Sequence, residues 1–411
     1  MNKNSLKKNF SWNFIGNLIY AATQWGLIVV ITRLGSVEMV GLFSLGLALT
    51  GPIIMFTNLQ LRTVQATSHE GLYKIADYFG VRIVTNVAFC LVLSILLLFS
   101  DYDIYTMVIV GLVGVTKLIE SLSDLLYGFF QQKERMELIA KSTIVRGISS
   151  LLIIIISLYF TSNLIVALIG MSVCWLVIFI LYDVRNVYRF TVRLRPSFKF
   201  TNLLEIIKMS LPLGIVVMIV SLNTNLPRIL VEKMLDVEAL GYFASISYLV
   251  FVGSKFINSM GNAVLPRLAL LYNQKNIKDF RNHLLTLVAI SSIIGLFLIS
   301  VSIIGGEYIL YYIYGADFYK FKTLLILIMI YGMFNYISYS LMVGLNALRN
   351  FKIQPYLGLI WLIFALTSLL YLTPKYGLNG AAIALIIYSV SRILSIGFVL
   401  YYTLNRKLDI E

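Results

Sequence analysis

The feature that most limits the fold of this chain is a series of twelve apolar stretches, each about as long as a membrane helix. About 20 apolar residues are needed to cross a bilayer. Hydrophobic residues make up 59% of the 411 and charged residues 13%, which is too apolar for a soluble domain. We therefore predict an all-α integral membrane protein. The predicted spans are residues 11–32, 37–58, 79–100, 104–130, 138–160, 163–182, 203–231, 238–264, 282–304, 322–348, 354–373 and 378–403.

The distribution of Lys and Arg predicts how the spans are oriented. Short loops rich in these residues lie in the cytoplasm. With the N-terminus inside, 23 of the 33 Lys and Arg fall in cytoplasmic segments and 6 in outside loops. We therefore predict that both termini are cytoplasmic. The same asymmetry accounts for most of the net charge of +14, so no nucleic-acid partner is expected.

A repeated octet predicts how the spans are organised. Residues 37–44 read VEMVGLFS, and residues 237–244 read VEALGYFA, with four identical positions. Ser36 and Asp236 precede the two copies at positions typical of helix N-caps. We interpret each octet as a helix start with a packing glycine rather than a catalytic motif.

The spacing of the copies predicts a parallel repeat. Six predicted spans separate them, and an even number gives both halves the same orientation in the membrane. We predict two six-helix bundles, residues 1–195 and 196–411, related by this repeat and enclosing a central cavity.

Longer motifs resemble a known family. These are RLGSVEMVGLFS at residues 33–44, its second-half echo, and YGLNGAA at residues 376–382. With twelve spans, they resemble the polysaccharide transporter family (Wzx-type O-antigen flippases), in the superfamily that also holds multidrug exporters and lipid II flippases. Lipid II flippases have two more spans than this chain shows.

The resemblance implies a function and a location. A member of this family would move an undecaprenyl-diphosphate-linked oligosaccharide across the bacterial inner membrane, from the cytoplasmic to the outer leaflet. It implies lipid contacts, and a polysaccharide polymerase and a chain-length regulator as protein partners. No nucleotide motif is present, so alternating access driven by an ion gradient is expected, without cofactor or metal.

Charged residues inside the spans are the candidate functional groups, because a charge in the hydrocarbon region is costly unless it faces a bundle interior or is paired. Lys117, Glu120 and Asp124 lie on one face of span four. We predict that Arg146 in span five pairs with Glu120 or Asp124, either as a fixed bridge or as a substrate contact. These carboxylates are also candidates for ion coupling.

Two further interpretations concern binding. Lys117, Lys255 and Arg392 have no obvious carboxylate partner, so we predict that they form an anion site for the substrate diphosphate. Polar amides in the spans are candidates for the cavity lining, because they would be unsatisfied against lipid. These amides belong to Asn223, Asn225, Asn258, Asn262 and Asn335.

Two other classes of function remain open. A multidrug or cation exporter would share the architecture, but it requires cavity acids. Away from the span ends we count four cations, Lys117, Arg146, Lys255 and Arg392, against two acids, Glu120 and Asp124. A membrane polymerase or glycosyltransferase would place its chemistry on a large outside loop. The sequence Asp101-Tyr102-Asp103 resembles a metal-binding D-x-D motif, although it lies in a short predicted turn. We interpret the chain as a transporter rather than an enzyme.

Overall fold

The computed structural model describes residues 3–67, 73–190 and 194–408, and all regular structure within these ranges is helical. A π-helical segment at Phe179–Val184 links two helices, and a 3-10 segment at Ala316–Phe321 precedes another. The helices are α1 Lys3–Leu34, α2 Val37–Asn58, α3 Leu61–Thr67, α4 Ile75–Leu98, α5 Ile104–Gln132, α6 Met136–Thr161, α7 Leu164–Ile178, α8 Arg185–Tyr188, α9 Phe200–Met234, α10 Val237–Asn273, α11 Ile277–Tyr314, α12 Lys322–Ala347 and α13 Gln354–Leu408.

Within the described residues, eleven helices are long and apolar enough to cross a membrane. The last of them runs over 52 residues, Gln354–Asn405, which at 1.5 Å per residue is about 78 Å, more than twice the ~30 Å of a bilayer core. It is interrupted at Gly377, whose φ of 57° and ψ of −137° are not helical. This helix therefore holds the last two predicted spans, and the all-α membrane fold is confirmed.

The YGLNGAA motif forms the break between those two spans. Gly377 adopts a positive φ that favours glycine. Three residues later, a Cβ on Gly380 would lie 2.0 Å from the carbonyl oxygen of Leu372. The motif is therefore a structural break that depends on glycine at positions 377 and 380.

The repeated octets begin α2 and α10 with the same cap. The backbone N–H of Met39 donates to Oγ of Ser36 at 3.1 Å, and that of Ala239 donates to Oδ1 of Asp236 at 2.6 Å. Both cap residues have extended backbone. The predicted N-caps are confirmed, because a short oxygen-bearing side chain satisfies an N–H group that the helix itself leaves free.

The chain divides into two compact units, Met1–Asn225 and Leu226–Glu411. In the first unit, α1 packs along α6, and α2 packs against α5. The first part of α9 belongs to this unit: Leu203 and Ile206 pack in one apolar cluster with Leu59. The division between the compact units falls within α9, after Asn225. The predicted bundle boundary between residues 195 and 196 remains a proposal.

The second unit is centred on α12, which packs against α10, α11 and α13. Its main apolar cluster includes Phe280, Leu345, Trp361 and Ile396. Buried hydroxyls link the helices within this core, as where Ser291 and Ser340 lie 2.7 Å apart.

Candidate functional site

Polar groups inside the first unit form three charged clusters on α5 and its neighbours. In the first, Nζ of Lys117 lies 2.8 Å from Oε2 of Glu120. The hydroxyl of Tyr20 on α1 donates to the other carboxylate oxygen at 3.4 Å. The interpretation of Lys117 as an unpaired cation is therefore wrong, because a spacing of three residues lets it reach Glu120 on its own helix.

The second cluster joins α3, α4 and α5 around Asp124. Its Oδ1 lies 3.2 Å from Nη1 of Arg62, and its Oδ2 lies 4.0 Å from Nη2 of Arg82. Arg62 also donates from Nε to Oε1 of Gln131 at 3.2 Å. Arg82 donates from Nη1 to the side-chain oxygen of Asn58, at the end of α2. One carboxylate thus serves two guanidinium groups.

The third cluster contains Arg146, whose partner differs from the prediction. Nη2 of Arg146 lies 3.1 Å from Oδ2 of Asp183 and also donates to the hydroxyl of Ser123. Both charged side chains are almost fully buried. The predicted pairing of Arg146 with Glu120 or Asp124 is wrong, because those carboxylates are engaged by Lys117 and by Arg62 and Arg82.

The sequence placed Asp183 one residue beyond a predicted span. In the structure the helical path continues through the π-helical segment Phe179–Val184 and ends only at Tyr188. π turns interrupt helices rarely and are frequent at functional sites. Hydropathy detects the apolar part of a helix but not this polar extension, so Asp183 escaped it.

In the second unit, Arg392 is buried in a shell of aromatic rings. Its Cζ lies 5.1 Å from the ring centroid of Trp361, 5.3 Å from that of Tyr339 and 5.5 Å from that of Tyr388. Nη1 donates to Oδ1 of Asn335 at 2.9 Å. Within residues 194–408, no carboxylate pairs with Arg392, and its Nε has no hydrogen-bond partner.

Arg146 and Arg392 have matching surroundings. Each guanidinium carbon lies 5.1 Å from a tryptophan ring, of Trp175 and Trp361 respectively. Each indole N–H donates to a serine that follows the arginine by one helical turn, to Ser150 at 2.6 Å and to Ser395 at 2.8 Å. The arrangements differ in charge, since the Asp183 carboxylate neutralises Arg146, whereas the contacts of Arg392 with described residues are to neutral side chains.

The remaining candidates vary in exposure. Lys255 is exposed, and its Nζ lies 5.1 Å from the ring centroid of Phe251. Asn335 is buried between Arg392 and Ser254, to whose Oγ it donates at 3.3 Å. The other amides are buried in α9 at Asn223 and Asn225, half-buried in α10 at Asn258, and exposed in α10 at Asn262.

The D-x-D sequence before α5 contributes a helix cap. Oδ2 of Asp103 accepts the backbone N–H groups of Tyr105 and Thr106 at 3.0 and 3.3 Å. A hydrogen bond from the Thr106 side chain and these backbone bonds lower the pKa of Asp103. The carboxylate is thus used in starting the helix. No three His, Cys, Asp or Glu within the described ranges form a group able to hold a metal ion.

Sequence reasoning missed several of these residues. Neither Arg62 nor Arg82 was among the predicted site residues, although Arg82 is fully buried in α4. Sequence reasoning also left the rings around Arg392 unassigned, because a chain with 26 Tyr and 25 Phe offers too many candidates. Arg82 could have been recognised from its position in the first turn of the predicted span 79–100, because a charge inside a span is costly unless it is paired or faces the bundle interior.

Comparisons with known proteins agree with this architecture. The profile of a family described as "Polysaccharide biosynthesis protein" matches residues 6–272. The Staphylococcus aureus protein "Capsular polysaccharide biosynthesis protein CapF" is 28% identical over 384 residues, which cover 92% of this chain and 95% of that protein.

Two solved structures show the same fold. The lipid II flippase MurJ in an inward closed conformation gives a TM-score of 0.75 at 14% identity, covering 95% of this chain and 87% of that one. An inward-facing multidrug resistance transporter of the MATE family gives 0.68 at 13% identity, covering 95% and 96%. These relatives confirm the predicted resemblance to polysaccharide transporters, and the two matched folds are those of a flippase and a transporter rather than enzymes.

Proposed function

The chain belongs to the polysaccharide biosynthesis protein family, and on that basis we propose that it is a flippase for a lipid-linked oligosaccharide. Its substrate would be an undecaprenyl-diphosphate-linked unit of a surface polysaccharide, moved from the cytoplasmic to the outer leaflet of the bacterial inner membrane. An ion gradient would drive alternating access, with both termini in the cytoplasm. The sugar head group would cross within the protein while the polyprenyl chain remains in lipid.

The observation that carries this proposal is the buried positive charge at Arg392. A buried charge without a counter-ion is costly, and the rings and the Asn335 amide offset only part of that cost. An anionic substrate supplies the missing negative charge. Arg392 therefore remains the strongest member of the proposed diphosphate site, with Lys255 as an exposed cation. Lys117 would have to leave Glu120 to contribute.

The paired carboxylates argue against export of a cation. Glu120, Asp124 and Asp183 each form an ion pair with Lys or Arg. A cationic drug would have to displace one of these partners before it could bind. Glu120 and Asp124, each about a third exposed, remain candidates for ion coupling. A polymerase and a chain-length regulator are proposed as partners from the family relationship.

Replacement of Arg392 by Gln tests the proposal in cells whose own copy of the gene is deleted. If the protein is a flippase, the wild-type protein restores surface polysaccharide and Arg392→Gln does not. Cells with Arg392→Gln then accumulate lipid-linked precursor although the protein is present at its normal level. A matched control is Arg135→Gln, which removes an exposed arginine paired with Glu137. Normal surface polysaccharide in deletion cells that carry no copy of the gene would refute the proposal.

A further inference from the structure

The cluster of Arg62, Arg82 and Asp124 has properties that a structural bridge does not require. Arg82 is fully buried, whereas the side chains of Arg62 and Asp124 are 32% and 31% exposed. The cluster therefore has a closed side, formed by α4, and an open side at α3 and α5. A ligand can approach the carboxylate and Arg62 without unpacking Arg82.

The charges in this cluster do not balance. Two guanidinium groups share one carboxylate, and their other hydrogen-bond partners, Asn58 and Gln131, are neutral. The Nε and Nη2 atoms of Arg82 are buried and make no hydrogen bond within the described part of the chain. At 4.0 Å, Asp124 attracts Arg82 but lies too far away to accept a hydrogen bond from it.

The two oxygens of Asp124 point to different arginines. Oδ1 lies near Arg62 and Oδ2 near Arg82. A phosphate group places several oxygens in a comparable arrangement with more negative charge, and guanidinium groups bind phosphate through paired N–H donors. Asp124 thus contacts both guanidinium groups but accepts a hydrogen bond only from Arg62.

The backbone between α2 and α3 fixes two of the contributing side chains. Leu59 and Gln60 both have positive φ, of 51° and 53°, which is uncommon for residues other than glycine. They lie directly between Asn58, the acceptor for Arg82, and the start of α3, which carries Arg62. Leu59 is the C-cap of α2, and Ser162 caps α6 in the same left-handed conformation.

From these observations we propose that Arg62 and Arg82 bind a phosphate group of the lipid-linked substrate, and that Asp124 is the counter-ion which this phosphate displaces. The residues of this site belong to the first unit, whereas Arg392 belongs to the second. All three residues lie toward the end of their helices that the positive-inside rule assigns to the cytoplasm. The proposal rests on the proposed function for the identity of the substrate, since loading would occur on that side.

The decisive variant is Asp124→Asn, because the two interpretations predict opposite effects on ligand binding. If Asp124 competes with phosphate, its neutralisation lowers the Kd for inorganic diphosphate about tenfold. If Asp124 only bridges helices, the variant loses stability and gains no affinity. The Kd is measured from the increase in the thermal unfolding midpoint of the purified full-length protein as the concentration of inorganic diphosphate is raised.

Two further variants complete the test. Arg62→Gln removes the exposed guanidinium and leaves Arg82 buried, and we expect it to raise the diphosphate Kd at least about tenfold. Arg135→Gln is the control, and its Kd should equal that of wild type. The proposal would be overturned if Asp124→Asn bound diphosphate no more tightly than wild type, or if the Kd of Arg62→Gln stayed within twofold of wild type.

Competition experiments identify the source of the phosphate. If polyprenyl diphosphate displaces bound diphosphate and phosphatidylglycerol in nanodiscs does not, the result supports the lipid-linked substrate as the ligand. Displacement by phosphatidylglycerol alone would make this a lipid headgroup site and overturn its link to transport. Because binding is measured on isolated protein, the site can be confirmed even where polysaccharide export proves independent of this chain.

Discussion

Nη2 of Arg146 on α6 lies 3.1 Å from Oδ2 of Asp183, in the π-helical segment that follows α7. This buried pair links α6 to the π-helical segment that continues α7. It also neutralises Arg146, which, like Arg392, lies 5.1 Å from a tryptophan ring. We propose that this difference in charge partner makes Arg146 a stabilising residue of the fold and leaves Arg392 for a ligand.

Breaking the Arg146–Asp183 pair should destabilise the protein strongly. Asp183→Asn leaves a buried guanidinium without its counter-ion, a loss of about 3–5 kcal/mol when one partner of a buried pair is removed. The thermal unfolding midpoint of purified protein measures this loss. The double variant Arg146→Asp with Asp183→Arg should recover part of it, whereas exchanging Arg146 with Glu120 or Asp124 should not. Equal recovery by all three exchanges would contradict the observed pairing.

The glycines of the YGLNGAA turn should tolerate no side chain. Gly377→Ala places a Cβ on a backbone with φ of 57°, at a cost of about 1–3 kcal/mol. Gly380→Ala forces its Cβ against the carbonyl of Leu372. Membrane protein level, followed by immunoblot, should fall for both variants. Gly397→Ala is the matched control, because nothing lies within 4 Å of its Cβ position.

The repeat predicts where reporter fusions will be found. Fusions after Lys199 and after Glu411, which lies outside the described residues, should report the cytoplasm. Fusions at Asp236 should report the outside. A fusion at Glu307 would disturb the structure, because Glu307 lies within α11 and pairs with Lys322 at 3.2 Å. A fusion at Asp317, in the 3-10 segment that follows α11, should also report the outside. A periplasmic signal at Lys199 would exclude the arrangement of six spans followed by six.

Arg392 offers a test that separates charge from geometry. Arg392→Lys keeps the charge but loses the planar group that contacts three rings and Asn335. We expect it to retain part of the polysaccharide export, while Arg392→Gln should reduce export at least about tenfold at unchanged protein level. Asn335→Ala removes the group that orients the guanidinium and should give an intermediate effect. Full export by Arg392→Gln would show that the charge is not used.

The sequence predicted features that depend on local chemistry. Apolar length identified the spans, and the repeated octet identified the caps at Ser36 and Asp236, because both signals lie in consecutive residues. Ion pairing between helices depends on rotation and depth, which hydropathy does not determine. Arg146 was therefore recognised as buried and ionic, but its partner was misassigned. Lys117 was misread for the opposite reason, since its partner lies on its own helix.

The most direct test of the account is transport by the purified protein in sealed vesicles. Undecaprenyl-diphosphate-linked oligosaccharide is placed in one leaflet, and a membrane-impermeant reagent that cleaves the sugar measures its arrival in the other. A flippase gives translocation that requires the protein, increases with an imposed ion gradient and is lost in Arg392→Gln. Translocation equal to that of protein-free vesicles, in a preparation that exports a cationic dye, would contradict flippase function.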